Sequence, residues 1–98
     1  MTTIELGGNI KLSGFKDLEP AKLIVVKKMV GTYARKMAEK TPFQELALTL
    51  KPVHSSNFEI KANLMVEGKN HHTEITDYNL FFAIDKVLSQ LIELTAKQ

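Results

Sequence analysis

Hydrophobic residues recur along this chain with two different periods, and the change of period divides it into elements. From Phe58 to Val66 the period is two. Phe58, Ile60, Ala62, Leu64 and Val66 share one face, and Glu59, Lys61, Asn63 and Met65 share the other, as in a strand buried on one side. Glu45 to Lys51 alternates in the same way, with Leu46, Leu48 and Leu50 opposed to Ala47 and Thr49. Pro52 ends that strand or places it at an edge, because proline has no N–H for a ladder. Glu67-Gly68-Lys69-Asn70 reads as a hairpin turn, followed by a shorter polar strand from His71 to Thr76.

Thr2 to Leu6 and Ile10 to Leu12 also alternate, separated by Gly7-Gly8-Asn9. The two pieces are either one strand with a bulge or a small hairpin; a single strand bent at the glycines is the preferred reading. Ser13 to Leu18 is a connector, with Phe15 and Leu18 expected to tuck beneath the first helix.

From Glu19 to Lys40 the period lengthens. At about 100° per residue, Leu23, Val26, Val30, Tyr33, Ala34 and Met37 gather on one side of a long helix. Pro20 suits its first turn, and Pro42 disfavours helical geometry at Thr41, so the helix stops near Lys40. Ile24 and Val25 fall off the core stripe. A last helix runs from Tyr78 to about Ala96, capped by Asp77. Its core stripe is Leu80, Ile84, Val87, Leu88, Leu91 and Leu94, with Phe81 at the edge. Phe82, Asp85, Lys86, Ser89 and Glu93 take the opposite, water-facing side.

The expected fold is therefore α+β, a single domain over residues 1–98 in the order β-α-β-β-β-α. Short turns make neighbouring strands antiparallel. A mostly antiparallel four-stranded sheet with both helices on one face, a two-layer sandwich, is the economical way to cover one apolar sheet surface.

Charge adds one distinctive feature. The net charge of +2 names no partner by itself, but its placement does more. Between Ala21 and Ala38 there is no Asp or Glu, while Lys22, Lys27, Lys28, Arg35 and Lys36 are present. Lys28, Gly31 and Arg35 form a stripe facing mostly away from the core, with Lys27 at its margin. Surface helices also carry lysine for solubility, but then usually mix signs in i,i+4 pairs. An unmixed cationic face suits a phosphate backbone, and Gly31 lets a bulky partner approach the helix closely. Asp85 and Glu93 dilute Lys86 and Lys97 in the last helix.

Other chemistry has less support. The chain has no cysteine, which excludes disulfides and thiolate metal sites and makes a reducing cytosol the default. No membrane-spanning run and no signal pattern are apparent, so a cytoplasmic domain is expected. His71 and His72 are adjacent on a strand and so point to opposite faces; with His54 they lack zinc-site spacing. Ser13, Ser55, Ser56 and Ser89 sit in no nucleophile motif, and no cofactor is implied. Glu59 and Glu74 can be neighbours on the open sheet face, but Lys61 shares it, which describes a solvated surface better than a catalytic pair. A non-enzymatic role is expected.

The element order and the run Asn79-Leu80-Phe81-Phe82-Ala83-Ile84-Asp85, with Leu91 following at core spacing, resemble the hibernation-promoting factor family of ribosome-associated translation inhibitors. Ile4, Leu6, Gly8, Asn9 and Ile10 look like that family's opening strand and Gly-Asn turn. The resemblance implies a fold similar to a double-stranded-RNA-binding domain. It also implies a basic helix surface set against small-subunit ribosomal RNA, in the channel that mRNA and tRNA occupy. Lys28 and Arg35 best match the family's phosphate contacts, and Lys86 matches more weakly. The chain departs from the family in its longer connector, Ser13 to Glu19, and in Gln90, Glu93 and the ending Thr95-Ala96-Lys97-Gln98, where a basic helix and tail are usual. The ribosome pairing of long-form members, which uses a separate C-terminal domain, is not implied. The competing reading is a protein-interaction module without RNA binding, possible partners being a second copy through the sheet, or another protein anchored on Tyr78 and Phe82.

Overall fold

The computed structural model describes residues 3–53 and 56–96; His54, Ser55 and Lys97 lie outside the described residues. The elements are β1 (Thr3–Leu6), β2 (Ile10–Ser13), α1 (Pro20–Lys40), β3 (Glu45–Val53), β4 (Asn57–Val66), β5 (Lys69–Asp77) and α2 (Leu80–Ala96). The strands form one sheet in chain order, β1-β2-β3-β4-β5. Only β2 and β3 run parallel, joined by α1 as the crossover; all other pairs are antiparallel. The α+β sandwich is as expected, but the sheet has five strands rather than four.

The extra strand comes from the N-terminus. Thr3 to Ser13 is a hairpin with Leu6 opposite Ile10, not one strand bent in the middle. Gly7 and Gly8 both have positive φ, 68° and 86°. Two successive left-handed residues reverse the chain, which a strand with a bulge does not require. The second hairpin uses the same device in its shortest form. Val66 pairs with Lys69, and Glu67 and Gly68 between them have φ of 49° and 79°, the signs of a type I′ turn.

Register lines up the apolar rows. Leu46, Leu48 and Leu50 stand opposite Leu64, Ala62 and Ile60, and Leu12 stands beside Leu48. All of these are buried, as are Val26, Val30, Ala34 and Met37 of α1 and Leu80, Ala83, Ile84, Val87, Leu88 and Leu91 of α2. They make one core cluster, with both helices on the same sheet face. Phe15 is fully buried and Leu18 packs against the cluster, beside Leu50, Pro52 and Phe58. Pro52 lies within β3 but past Thr49, the last residue that β2 reaches, so no ladder bond is lost there.

Three features of α2 differ from expectation. Its cap is Asn79, whose Oδ1 accepts the Phe82 N–H at 3.0 Å. Asp77 instead accepts the Asn79 N–H at 2.8 Å, forming the turn before the helix. Leu94 is 42% exposed, because it lies beside the sheet's last strand, where no further strand extends the surface beneath it. Asp85 and Ser89 do not simply face water: both are bonded to Tyr33 of α1.

Gly14 fixes how the connector leaves β2. Its φ is +82°, and a Cβ there would lie 2.3 Å from the Leu50 carbonyl oxygen. Gly7 has a similar φ but open space around it. Gly14→Ala is therefore expected to destabilise the fold by about 2 kcal/mol or more, and Gly7→Ala by about 1 kcal/mol, the left-handed backbone cost alone. Thermal melts followed by circular dichroism check the order: Gly14→Ala must lose clearly more than Gly7→Ala.

Candidate nucleic-acid interface

Helix α1 is built so that one side is occupied and the rest is free. Val26, Val30, Ala34 and Met37 recur at three- and four-residue steps and are buried. Ile24 and Val25, off that stripe, are 55% and 42% exposed. Pro20 stands in the first turn, and the Thr41 N–H returns to the Met37 carbonyl at 2.7 Å to close the last. Lys27, Lys28, Arg35 and Lys36 are all exposed, and Gly31 is half-buried. A Cβ added at Gly31 would meet nothing within 4 Å, so the helix backbone is approachable there.

The six residues singled out from the sequence fall on three flanks. Lys28 and Arg35 share one stripe with Gly31, and Lys27 borders it, as the helical period requires. Lys36 stands elsewhere: its Nζ lies 5.5 Å from the centroid of the Tyr33 ring, over its face. Tyr33 in turn donates its hydroxyl hydrogen to Asp85 and lies 3.2 Å from the Ser89 Oγ, so Lys36 belongs to the seam between the helices. Lys86 is exposed on α2, but not toward α1. Gln90, one helical turn further on, lines a depression with His72 and Thr73 of β5, which puts Lys86 on the β5 side.

The Tyr33–Asp85–Ser89 cluster was not singled out in the sequence. One signal could have found it: a tyrosine on an otherwise apolar stripe must bring its hydroxyl to a polar partner. The hydrogen bond to the Asp85 carboxylate holds the Tyr33 phenol above its ordinary pKa. The Ser89 contact opposes this in part, while partial burial and the nearby negative charge reinforce it.

The opposite sheet face has a different electrostatic character. Lys11 pairs with Glu45 at 2.8 Å, Lys61 with Glu59 at 3.8 Å, and His72 stands 3.5 Å from Glu74. Among the described residues these are the ion pairs, and none involves α1 or α2. The open face is thus mixed in sign and in large part internally compensated, whereas the α1 ridge is not. Asn70 Nδ2 and His72 Nδ1 both bond to Asn63 Oδ1 there. His71 pairs with Leu64 on the core row and His72 with Asn63 on the open row, so the two imidazoles do diverge. Among the described residues no group of three or more metal-ligating side chains comes together. No described helix is long and apolar enough to cross a membrane.

No family model and no curated protein matches this chain by sequence. Solved structures do match by fold. A ribosomal subunit interface protein from Coxiella burnetii superposes with a TM-score of 0.66 over 91% of this chain and 92% of its own, at 12% identity. The N-terminal domain of Thermus thermophilus Protein Y gives 0.65 over 88% and 90%, at 14% identity. At such identities the likeness is one of fold. It agrees with the architecture that the resemblance in the sequence implied, and it extends over nearly the whole of all three chains.

The seam makes a pH-dependent contribution. Because the folded phenol titrates above its unfolded value, the stability it adds is fully present below about pH 10 and lost as pH rises through the folded pKa. Tyr33→Phe should lower the melting temperature at neutral pH and flatten the decline above about pH 10 relative to wild type. Melting curves across that range check both.

Proposed function

We propose that this domain binds structured RNA of the small ribosomal subunit through the exposed face of α1, and modulates translation by occupying the channel used by mRNA and tRNA. The observation that carries the reading is the ridge of Lys28 and Arg35 flanking Gly31, free of ion-pair partners among the described residues. It stands on a fold shared with a protein described as a ribosomal subunit interface protein. Phosphate oxygens fit such a surface. Arginine offers a planar fork, lysine a compact charge, and the missing side chain at Gly31 lets the backbone of the nucleic acid come close.

In this proposal Lys28 and Arg35 make the principal phosphate contacts, with Lys27 beside them. Lys36, held over Tyr33, and Lys86, on the far flank of α2, contribute long-range attraction. Binding rests chiefly on charge and shape, with phosphate contacts that position the domain and carry no sequence information. No reaction is catalysed; the effect is exclusion of other ligands from the same channel.

The test is cosedimentation with purified small subunits. Lys28→Glu combined with Arg35→Glu is expected to abolish it while the circular dichroism spectrum and melting temperature stay as in wild type. Wild-type binding should weaken steeply with salt, and Lys28→Gln should reduce the slope of log affinity against log salt by roughly 0.8, the share of one phosphate contact. Undiminished cosedimentation of the double variant would remove the proposal.

A further inference from the structure

β5 is the outer strand of the sheet, and it is neither shortened, bulged nor interrupted by proline; the one protective device it carries is charge, at Lys69, Glu74 and Asp77. Its pairing with β4 runs without a break from Phe58–Asp77 to Val66–Lys69. It has nine residues, no proline, no glycine and no bulge. The opposite edge, β1, is only four residues long. Short strands, prolines, bulges and edge charges keep edges from pairing with other chains, and edge charges cease to repel a strand that opposes them with the other sign. β5 instead offers a straight row of outward N–H and C=O groups, ready for another strand.

The side chains along that edge select the strand. If a second copy adds antiparallel, with the two-fold axis perpendicular to the sheet, both helix layers stay on one side and the sheet is continuous. Residues opposite each other must then share a face, so the axis passes through a residue rather than between two. Centred on Thr73, the register sets Lys69 against the partner's Asp77 and His72 against the partner's Glu74, each pair occurring twice. Asn70 meets the partner's Thr76, and the small Thr73 meets its own copy. Centring on Glu74 would oppose two carboxylates, and centring on His72 would oppose two imidazoles while Lys69 faced an isoleucine. Opposite charges placed directly across a ladder stabilise it and like charges weaken it.

A second observation falls at the same point. A depression of about 320 Å³ runs beside the edge, lined by His72, Thr73, Gln90, Glu93 and Leu94. It is lined by Leu94, an apolar residue of α2 left 42% exposed. Helix α2 lies over β4 and β5. With strands about 4.8 Å apart, two copies of α2 would stand about 10 Å apart across the axis, a helix-packing distance. The depression would be closed from its open side.

We propose that the domain self-associates through β5, antiparallel about Thr73, into a continuous two-copy sheet. α2 separates β5 from α1, so the Lys28–Arg35 ridge of each copy stays free; only Lys86, on the β5 flank of α2, would come near the partner.

Sedimentation equilibrium over a wide concentration range tests it. Wild type should show a reversible monomer–dimer equilibrium. Lys69→Glu should raise the dissociation constant about tenfold or more, since it replaces two opposed-charge pairs by two like-charge pairs. Asp77→Lys should do the same. An equimolar mixture of the two variants should dimerise again, because each chain then supplies what the other lacks. As a measurement that needs no variant, hydrogen exchange of the amides of 69–77 in wild type should slow as concentration rises. A strict monomer at every concentration would overturn the proposal. So would an unchanged dissociation constant in Lys69→Glu, or concentration-dependent protection confined to another part of the chain.

Discussion

Ile60, Ala62, Leu64 and Val66 present an unbroken apolar row on β4, and β3 lays Leu50, Leu48 and Leu46 beside it in register. Surface of this kind is driven out of water by about 25 cal/mol per Å². One helix is too narrow to cover it, and two suffice. The demand for cover therefore fixes the inner faces of α1 and α2 and leaves their outer faces unconstrained by packing. Whatever charge those outer faces carry is set by other requirements. In α1 it is uniformly positive from Lys22 to Lys36, and none of the core contacts depends on it.

The polar side of the sheet shows what an unspecialised surface in the same molecule looks like. Two of its lysines, Lys11 and Lys61, have carboxylates within 4 Å, and Asn70 and His72 both bond to Asn63. The helix layer holds one acidic group near its centre, Asp85, and that group is engaged by the Tyr33 hydroxyl. The two faces thus differ in kind: one compensates its charges in large part internally, and the other leaves its cations available. Fold neighbours with 12% and 14% identity share the scaffold over about nine-tenths of this chain, so the scaffold tolerates wide change in sequence.

Much of this was legible in the sequence where a period was sustained. The β4 row, the leucines of β3 and the α1 stripe follow directly from side-chain spacing, which also sets Ile24 and Val25 off the stripe without deciding between water and the connector. The places where reading failed are those where spacing is short or ambiguous. Gly7-Gly8 permits both a bend and a reversal, and only backbone angles separate them. Asp77 and Asn79 are both good caps, two residues apart. Asp85 and Ser89 sit opposite the core stripe on a helical wheel, but a wheel does not show where a second helix lies. Leu94 fits the apolar period and is nonetheless exposed, because period says nothing about where the sheet ends. The ridge of Lys28, Gly31 and Arg35 was visible as composition; that Lys36 and Lys86 occupy other flanks needed the relative placement of both helices.

The single parallel contact, between β2 and β3, has a consequence for how the molecule assembles. β3, β4, β5 and α2 are joined by short links and can form as a contiguous unit. The N-terminal hairpin reaches β3 only after the whole of α1 has been spanned, and closing so long a segment is entropically slow. Formation order then inverts on opening. The hairpin is the natural first section to detach, with Leu12 and Phe15 as the apolar latch that holds it shut. Any partner that grips the first strands would slow unfolding of the whole chain without touching its centre.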